Sequence, residues 1–327
     1  MRNRKSSSVV SQWAHSRWLN GLPSLKVTGG LLCFLLTVLG APYAQGEGNI
    51  LILNSDMAVE KYLIVQTEFK AQLKQVQAEI DLGKKWGDES KIEDVILDAD
   101  PDVIYCIGSK AYLLAYKLAK NKTLVFSSII NWQRLPLTKN TYGISNELPP
   151  GMQLMMSRYF FPNVSKIGLL YSEQYNKEWL KFATDDAKEI GIEIVGKAIS
   201  KPGKIESVLK TLLPQVDALW LISDPIVISD EKSVQQIFNT TAAMKKPVFA
   251  YSDAFASYGA VLMISVDVPT IGRQAEGLVN EILTEKEIPE RVRHPAGSRI
   301  TINLKKIEEY GLKLNTDALD SVNKIIR

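Results

Sequence analysis

The chain has 327 residues, 46% of them apolar and 23% charged, a balance that suits globular domains and excludes a disordered chain. Its net charge of +3 comes from 39 basic and 36 acidic residues, but Arg2, Arg4, Lys5, Arg17 and Lys26 lie in the first 46 positions, which hold no acid; removing those five leaves 34 basic residues against 36 acidic, a net of −2, with no electrostatic footprint for nucleic acid. Two Cys and two His exclude disulfide scaffolds and most metal sites.

The first 46 residues have the three parts of an export signal. A basic, Ser-rich stretch ends at Lys26, an apolar run covers 31–39, and small and turn-forming residues fill 40–46. The run is shorter than the roughly 20 residues of a membrane helix. Cleavage after Ala44 puts Pro42 three positions before the cut; cleavage after Gly46 puts Ala44 there, and the mature chain is expected to begin near Gln45 or Glu47. An uncleaved signal-anchor is the alternative. Cys33 sits inside the apolar run rather than after it, which argues against lipid attachment. Export removes Cys33 and His15, so Cys106 has no intrachain partner and His294 is the remaining imidazole. His294 lies in a Pro- and Arg-rich stretch, 289–295, that reads as an exposed loop, a poor setting for a catalytic base.

From Asn49 onward, short apolar runs alternate with amphipathic ones. Strands are expected at 50–53, 103–107, 123–126, 166–171, 192–197, 218–222, 247–251 and 261–265, and helices at 58–77, 109–120, 174–190, 204–213, 231–244 and 270–284. The region 78–87 shows no clear strand. In 174–190, Trp179, Phe182, Ala183, Ala187 and Ile190 fall on one helix face, and Gly191 is a stop. Near-continuous apolar strands separated by helices indicate parallel sheets covered on both faces.

The pattern repeats. Residues 49–56 align with 166–173, 102–109 with 217–224 and 125–128 with 248–251, at offsets of 117, 115 and 123. The fold class expected is therefore α/β, with two similar lobes, each a parallel sheet flanked by helices, joined by a hinge. Lobe 1 is expected at 47–146 plus about 267–327, and lobe 2 at 147–266. Ligands of open parallel sheets bind outside the carboxyl ends of the strands. That places Asn54, Ser55, Asp56, Ser109, Lys110, Ser127, Ser128, Tyr171, Ser172, Ser223, Asp224, Tyr251, Ser252, Asp253 and Asp267 as candidates. Helix capping accounts equally well for any one Ser or Asp among them.

Several segments carry a resemblance. Asp100-Pro-Asp-Val-Ile-Tyr-Cys-Ile-Gly-Ser109, the run 264–276 with Gly272-Arg-Gln-Ala275, and Ile300-Thr-Ile-Asn-Leu-Lys-Lys306 with Tyr310-Gly-Leu-Lys-Leu314 resemble segments of ABC-transporter substrate-binding proteins, from about Asn49 to the last residue. The resemblance implies the type I periplasmic-binding-protein fold and relatives that bind aromatic amino acids. It also implies an extracytoplasmic, periplasmic receptor, monomeric, that hands a small-molecule ligand to a membrane ABC permease. Val268-Pro269 stands where relatives carry an aromatic pair, and Ser109-Lys110-Ala111-Tyr112 where they have Thr or Ser and small residues, so specificity is not carried over.

The favoured ligand is amino-acid-like. Its carboxylate is expected on Ser109 and the helix amides behind it, its ammonium on Asp224 or Asp267, and its side chain on Tyr171 and Tyr251, with Ser55 and Asp253 completing the set. A neutral sugar is the alternative ligand. A sensory or adaptor protein of the same fold, or a periplasmic hydrolase using the cleft carboxylates, is the alternative function. GxxxxGK[ST], GxGxxG after a strand, HExxH and CxxC are missing from the sequence, and neither a catalytic set, a cofactor, a metal nor a nucleic-acid partner is expected.

Overall fold

The run Ile50-Leu-Ile-Leu-Asn54 is buried on both faces, which an isolated amphipathic strand never is and a central parallel strand always is. The computed structural model describes residues 48–71, 73, 76, 78–83 and 89–327. The expected export signal at 1–46 and part of the expected 58–77 helix lie outside them. In chain order the elements are β1 (Ile50–Asn54), α1 (Glu60–Lys70), β2 (Ala78–Asp81), α2 (Glu89–Ala99), β3 (Val103–Ile107), α3 (Ser109–Ala119), β4 (Thr123–Ile129), β5 (Thr141–Ser145), α4 (Pro150–Phe160), β6 (Lys166–Tyr171), α5 (Glu173–Ile190), β7 (Glu193–Ala198), α6 (Ile205–Leu212), β8 (Ala218–Leu221), α7 (Glu231–Ala243), β9 (Val248–Ala250), β10 (Leu262–Val266), α8 (Val268–Leu283), β11 (Val292–Arg293), β12 (Ser298–Asn303), α9 (Leu304–Tyr310) and β13 (Lys324–Ile326).

Two sheets form, in the orders β11-β5-β4-β3-β1-β2 and β13-β12-β10-β9-β8-β6-β7. The first five strands and the next five follow the same path: β2-β1-β3-β4-β5 matches β7-β6-β8-β9-β10. The repeat in the sequence is thus a repeat of topology, and β1 and β6, β3 and β8, and β4 and β9 are the aligned pairs. All pairings are parallel except β10 with β12.

Strand alternation divides the core. In the first sheet, Leu51, Leu53, Ile104, Cys106 and Phe126 pack against Ile92 and Ile96 of α2 and Ala111, Tyr112 and Ala115 of α3. Ile52, Val103, Tyr105 and Val125 face the other way, onto Val65 and Phe69 of α1 and Ile271, Ala275 and Leu278 of α8. In the second sheet, Ile167, Leu169 and Trp220 meet α4 and α5, while Leu219, Leu221 and Val248 meet α6 and α7. α8 approaches α1 so closely that a Cβ on Gly272 would lie 2.4 Å from the Val65 carbonyl oxygen.

The chain passes between the sheets three times: at 146–149 after β5, at Asp267 before α8, and at 294–297 between β11 and β12. After the last passage the chain lies with the second sheet, in a tail whose part beyond Ile300 the sequence leaves unassigned. β12 and β13 belong to the second sheet, because β12 pairs with β10 and covers what would otherwise be an open edge. The region 78–87 differs from expectation: β2 is a strand there, with an Ala-Glu-Ile-Asp sequence that is only partly buried at the sheet edge. No helix among the described residues is long and apolar enough to cross a membrane.

Candidate functional site

The registers fix where the strands end. Asn54 pairs with Ile107, Ile107 with Ser127 and Ile129 with Ser145, so β1, β3, β4 and β5 release their chains along one edge of the first sheet. Tyr171, Leu221 and Ala250 close β6, β8 and β9 along the corresponding edge of the second. The two edges meet through three side chains. Ser128 near the end of β4 and Asn131 in the loop after it both have positive φ (60° and 56°), conformations that Asn tolerates better than most residues. Asn131 Nδ2 then donates to the Ser223 carbonyl at 3.1 Å. The Ser223 hydroxyl donates to Glu147 Oε1 at 2.8 Å. In the same loop, the Arg134 guanidinium sits 4.0 Å from the Tyr175 ring centre on α5.

Glu147 belongs to the first passage between the sheets. Its backbone is held by the Ser145 hydroxyl, which donates to its carbonyl at 3.0 Å, and the His294 Nδ1 lies 3.1 Å from the same carbonyl oxygen, joining the first passage to the third. Glu147 lines a pocket walled by Leu148, Trp179, Ile222, Tyr251, Ile264 and Val266, with Asn176 and Ser223 among its polar neighbours. Burial pushes this carboxyl up from its ordinary value; donation from Ser223 and the Asn131 backbone amide, and the His294 ring, act the other way. Burial, followed by the nearby Glu147 charge, pushes the Tyr251 phenol up to about 12, so it stays a donor at any physiological pH. Trp179 is held in place by Trp220, ring centres 5.2 Å apart.

Of the seven ligand contacts expected from sequence, Tyr251 alone lines this pocket. Asp224 is not among the lining residues. It is 1% exposed, and both its oxygens are engaged. Oδ2 accepts from the Ser172 amide (2.6 Å), the Ser172 hydroxyl (2.7 Å) and Asn176 Nδ2 (2.7 Å), and Oδ1 from the Ile226 and Val227 amides (2.9 and 3.0 Å). Five donors satisfy this carboxylate from within the lobe, so it ties β6, α5 and the loop after β8 together and has no lone pair aimed at a ligand. Asp267 is likewise outside the lining: it caps α8 through the Thr270 amide (3.2 Å) and hydroxyl, and Arg273 lies 3.8 Å away.

Ser55 is buried and its hydroxyl accepts from the Ala111 amide at 3.0 Å, capping α3. Ser109 is exposed at the start of α3, after Gly108 at φ 85°. Tyr171 is half-buried and packs into the apolar cluster beneath α4 and α5. Asp253 is half-buried and accepts from the Ser265 hydroxyl at 3.3 Å. The sequence reading passed over Glu147, Asn131 and Trp179. Glu147 sat in plain view in the break between the two repeats, where a strand's carboxyl end coincides with a passage between lobes.

With this geometry in hand, comparison with known proteins is informative. A family model described as ABC transporter substrate binding protein matches residues 70–326. A tyrosine-binding protein of Clostridioides difficile (strain R20291) is 24% identical over 231 residues, which cover 68% of this chain and 63% of that protein's length. Among solved structures, a ligand-free, open substrate binding protein with adhesive properties from Clostridium difficile superposes with a TM-score of 0.66 at 17% identity, over 86% of this chain and 99% of that one. An ABC domain in complex with L-Trp from Streptococcus pneumoniae gives 0.56 at 18% identity, over 85% and 100%. These likenesses establish a two-lobed α/β fold of the periplasmic-binding type.

Proposed function

We propose that this chain, which belongs to the ABC transporter substrate-binding protein family, is an extracytoplasmic receptor that captures a free amino acid between its lobes and delivers it to an ABC permease. The observation that carries this reading is the meeting of the two strand-end edges at Asn131, Ser223 and Glu147, beside a pocket walled by Trp179 and Tyr251. Open parallel sheets bind ligands at that edge, and two lobes joined by short passages close by hinge motion. An aromatic side chain of the ligand would gain apolar contact on Trp179 and Tyr251. The relatives named for tyrosine and complexed with L-Trp make the aromatic amino acids the first candidates. The basic and apolar leader at 1–46 supports an extracytoplasmic site of action.

A melting-temperature screen of the twenty amino acids, common amines and sugars tests this. A ligand at about 100 times its dissociation constant adds about 2.7 kcal/mol to the folded state. One or a few amino acids are expected to raise the midpoint, with aromatic ones foremost. A panel in which sugars alone raise it would refute the amino-acid assignment.

A further inference from the structure

Resting on the reading of this pocket as an amino-acid site, we propose that the ligand's ammonium group is bound by Glu147, on the passage between the lobes, and not by Asp224 or Asp267. Among the described residues that line the pocket, Glu147 is the one acid, and none is Lys or Arg. The partners of its carboxylate are neutral: the Ser223 hydroxyl and the Asn131 amide. Of the cation-forming groups around it, the His294 ring acts on the carboxylate electrostatically, and no Lys or Arg is among the described residues lining the pocket. Asn176 and Trp179 come from α5, Tyr251 from the end of β9, and His294, from the third passage, turns its Nδ1 to the Glu147 carbonyl rather than to the carboxylate. A half-buried carboxylate with neutral partners and apolar walls gains most from a cation that arrives with the ligand. An ammonium has three donors and is small enough to share the site with Ser223. Asp224 and Asp267 have no such need, since five internal donors satisfy the first and a helix start with Arg273 the second.

The placement also links binding to closure. Glu147 touches the second lobe through Ser223 and the first through the Asn131 amide. A cation bound there neutralises charge at the point where the two lobes meet, which favours the closed arrangement in which all three groups converge.

Calorimetric titration of wild type and Glu147→Gln with L-tyrosine, L-tryptophan, their deaminated arylpropionates and their decarboxylated amines tests the assignment. Gln keeps one acceptor oxygen for Ser223 and removes the charge, exchanging the other acceptor oxygen for an NH2 donor. Wild type is expected to bind the amino acid at least about tenfold more tightly than the deaminated acid. Glu147→Gln is expected to lose that preference while its affinity for the deaminated acid is unchanged. If the variant does not fold, the wild-type preference for the ammonium-bearing ligand, and retention of the decarboxylated amine, carry the decision. An unchanged preference in Glu147→Gln, or equal wild-type affinity for amino and deaminated ligands, overturns the role of Glu147 while leaving the receptor reading intact. No wild-type binding of any amino acid or amine overturns both.

Discussion

Replacing Asp224 by Ala separates a structural carboxylate from a ligand-binding one. The substitution leaves five donors in the second lobe without their acceptor: three backbone amides, one hydroxyl and one side-chain amide. A hydrogen bond to a charged group is worth roughly 1.5–3 kcal/mol, so the gross loss exceeds about 7 kcal/mol. Removing a buried charge also recovers several kcal/mol of desolvation, and loss of one member of a buried charged network typically nets about 3–5 kcal/mol. For a protein of this size each kcal/mol moves the melting midpoint by about 2–4 °C, so a fall of roughly 6–20 °C is expected. Asp224→Asn, which retains one acceptor oxygen, should lie between wild type and Ala. Unfolding followed by circular dichroism, with ligand titration well below the variant's midpoint, reads both properties. An Asp224→Ala midpoint within about 2 °C of wild type, together with a large loss of affinity, would refute the structural role and return Asp224 to the ligand.

Other consequences are equally direct. Gly272→Ala drives a Cβ to 2.4 Å from the Val65 carbonyl and 2.8 Å from the Glu68 Cβ, contacts that only a shift of α8 away from α1 relieves; a loss of about 1–3 kcal/mol in urea unfolding is expected, despite the better helix propensity of Ala, and an unchanged midpoint would contradict the close packing. Burial raises the Glu147 pKa in the folded protein, so its stability penalty is absent below the unfolded carboxylate range, builds as pH rises from there and is complete above the folded value. Ammonium binding needs the ionised form, so amino-acid affinity should rise with pH through that same window, with proton release on binding; a flat profile from about pH 4 to about pH 8 would contradict it. Cys106 is fully buried in β3 and burial pushes its thiol far up, so a thiol reagent should label it only after unfolding, and fast labelling of native protein would show an opening of the first sheet that the packing does not provide.

What the sequence disclosed, and what it hid, follows from where the information lies. β1 and β3 were legible because both faces are buried, so apolar residues run on without interruption. The order of the repeats was legible because each lobe solves the same packing problem with the same strand path. β2 was not, because an edge strand of Ala-Glu-Ile-Asp buries one side chain well and leaves the others wet. β12 escaped assignment to a lobe because its partner, β10, lies some 36 residues earlier (Met263 with Thr301 is 38 apart, Ile264 with Ile300 is 36), beyond any local pattern. The site shows the same divide. Asp224 follows an apolar strand, as a ligand-binding or a capping residue would; its donors Ser172 and Asn176 lie 52 and 48 residues away, and only the folded chain brings them together. Tyr251, named from its place after a strand, lines the pocket, whereas Glu147 lies on a passage between lobes that the boundary between 146 and 147 marks without revealing its chemistry.

The most direct test of the central claim is isothermal titration of the purified protein with L-tyrosine and L-tryptophan. Saturable binding of at least one of them is expected, with one ligand per chain and a negative heat-capacity change as its ring is buried against Trp179 and Tyr251. Absence of binding by both, with a neutral sugar or an anion lacking any ammonium group saturating the protein instead, would contradict it.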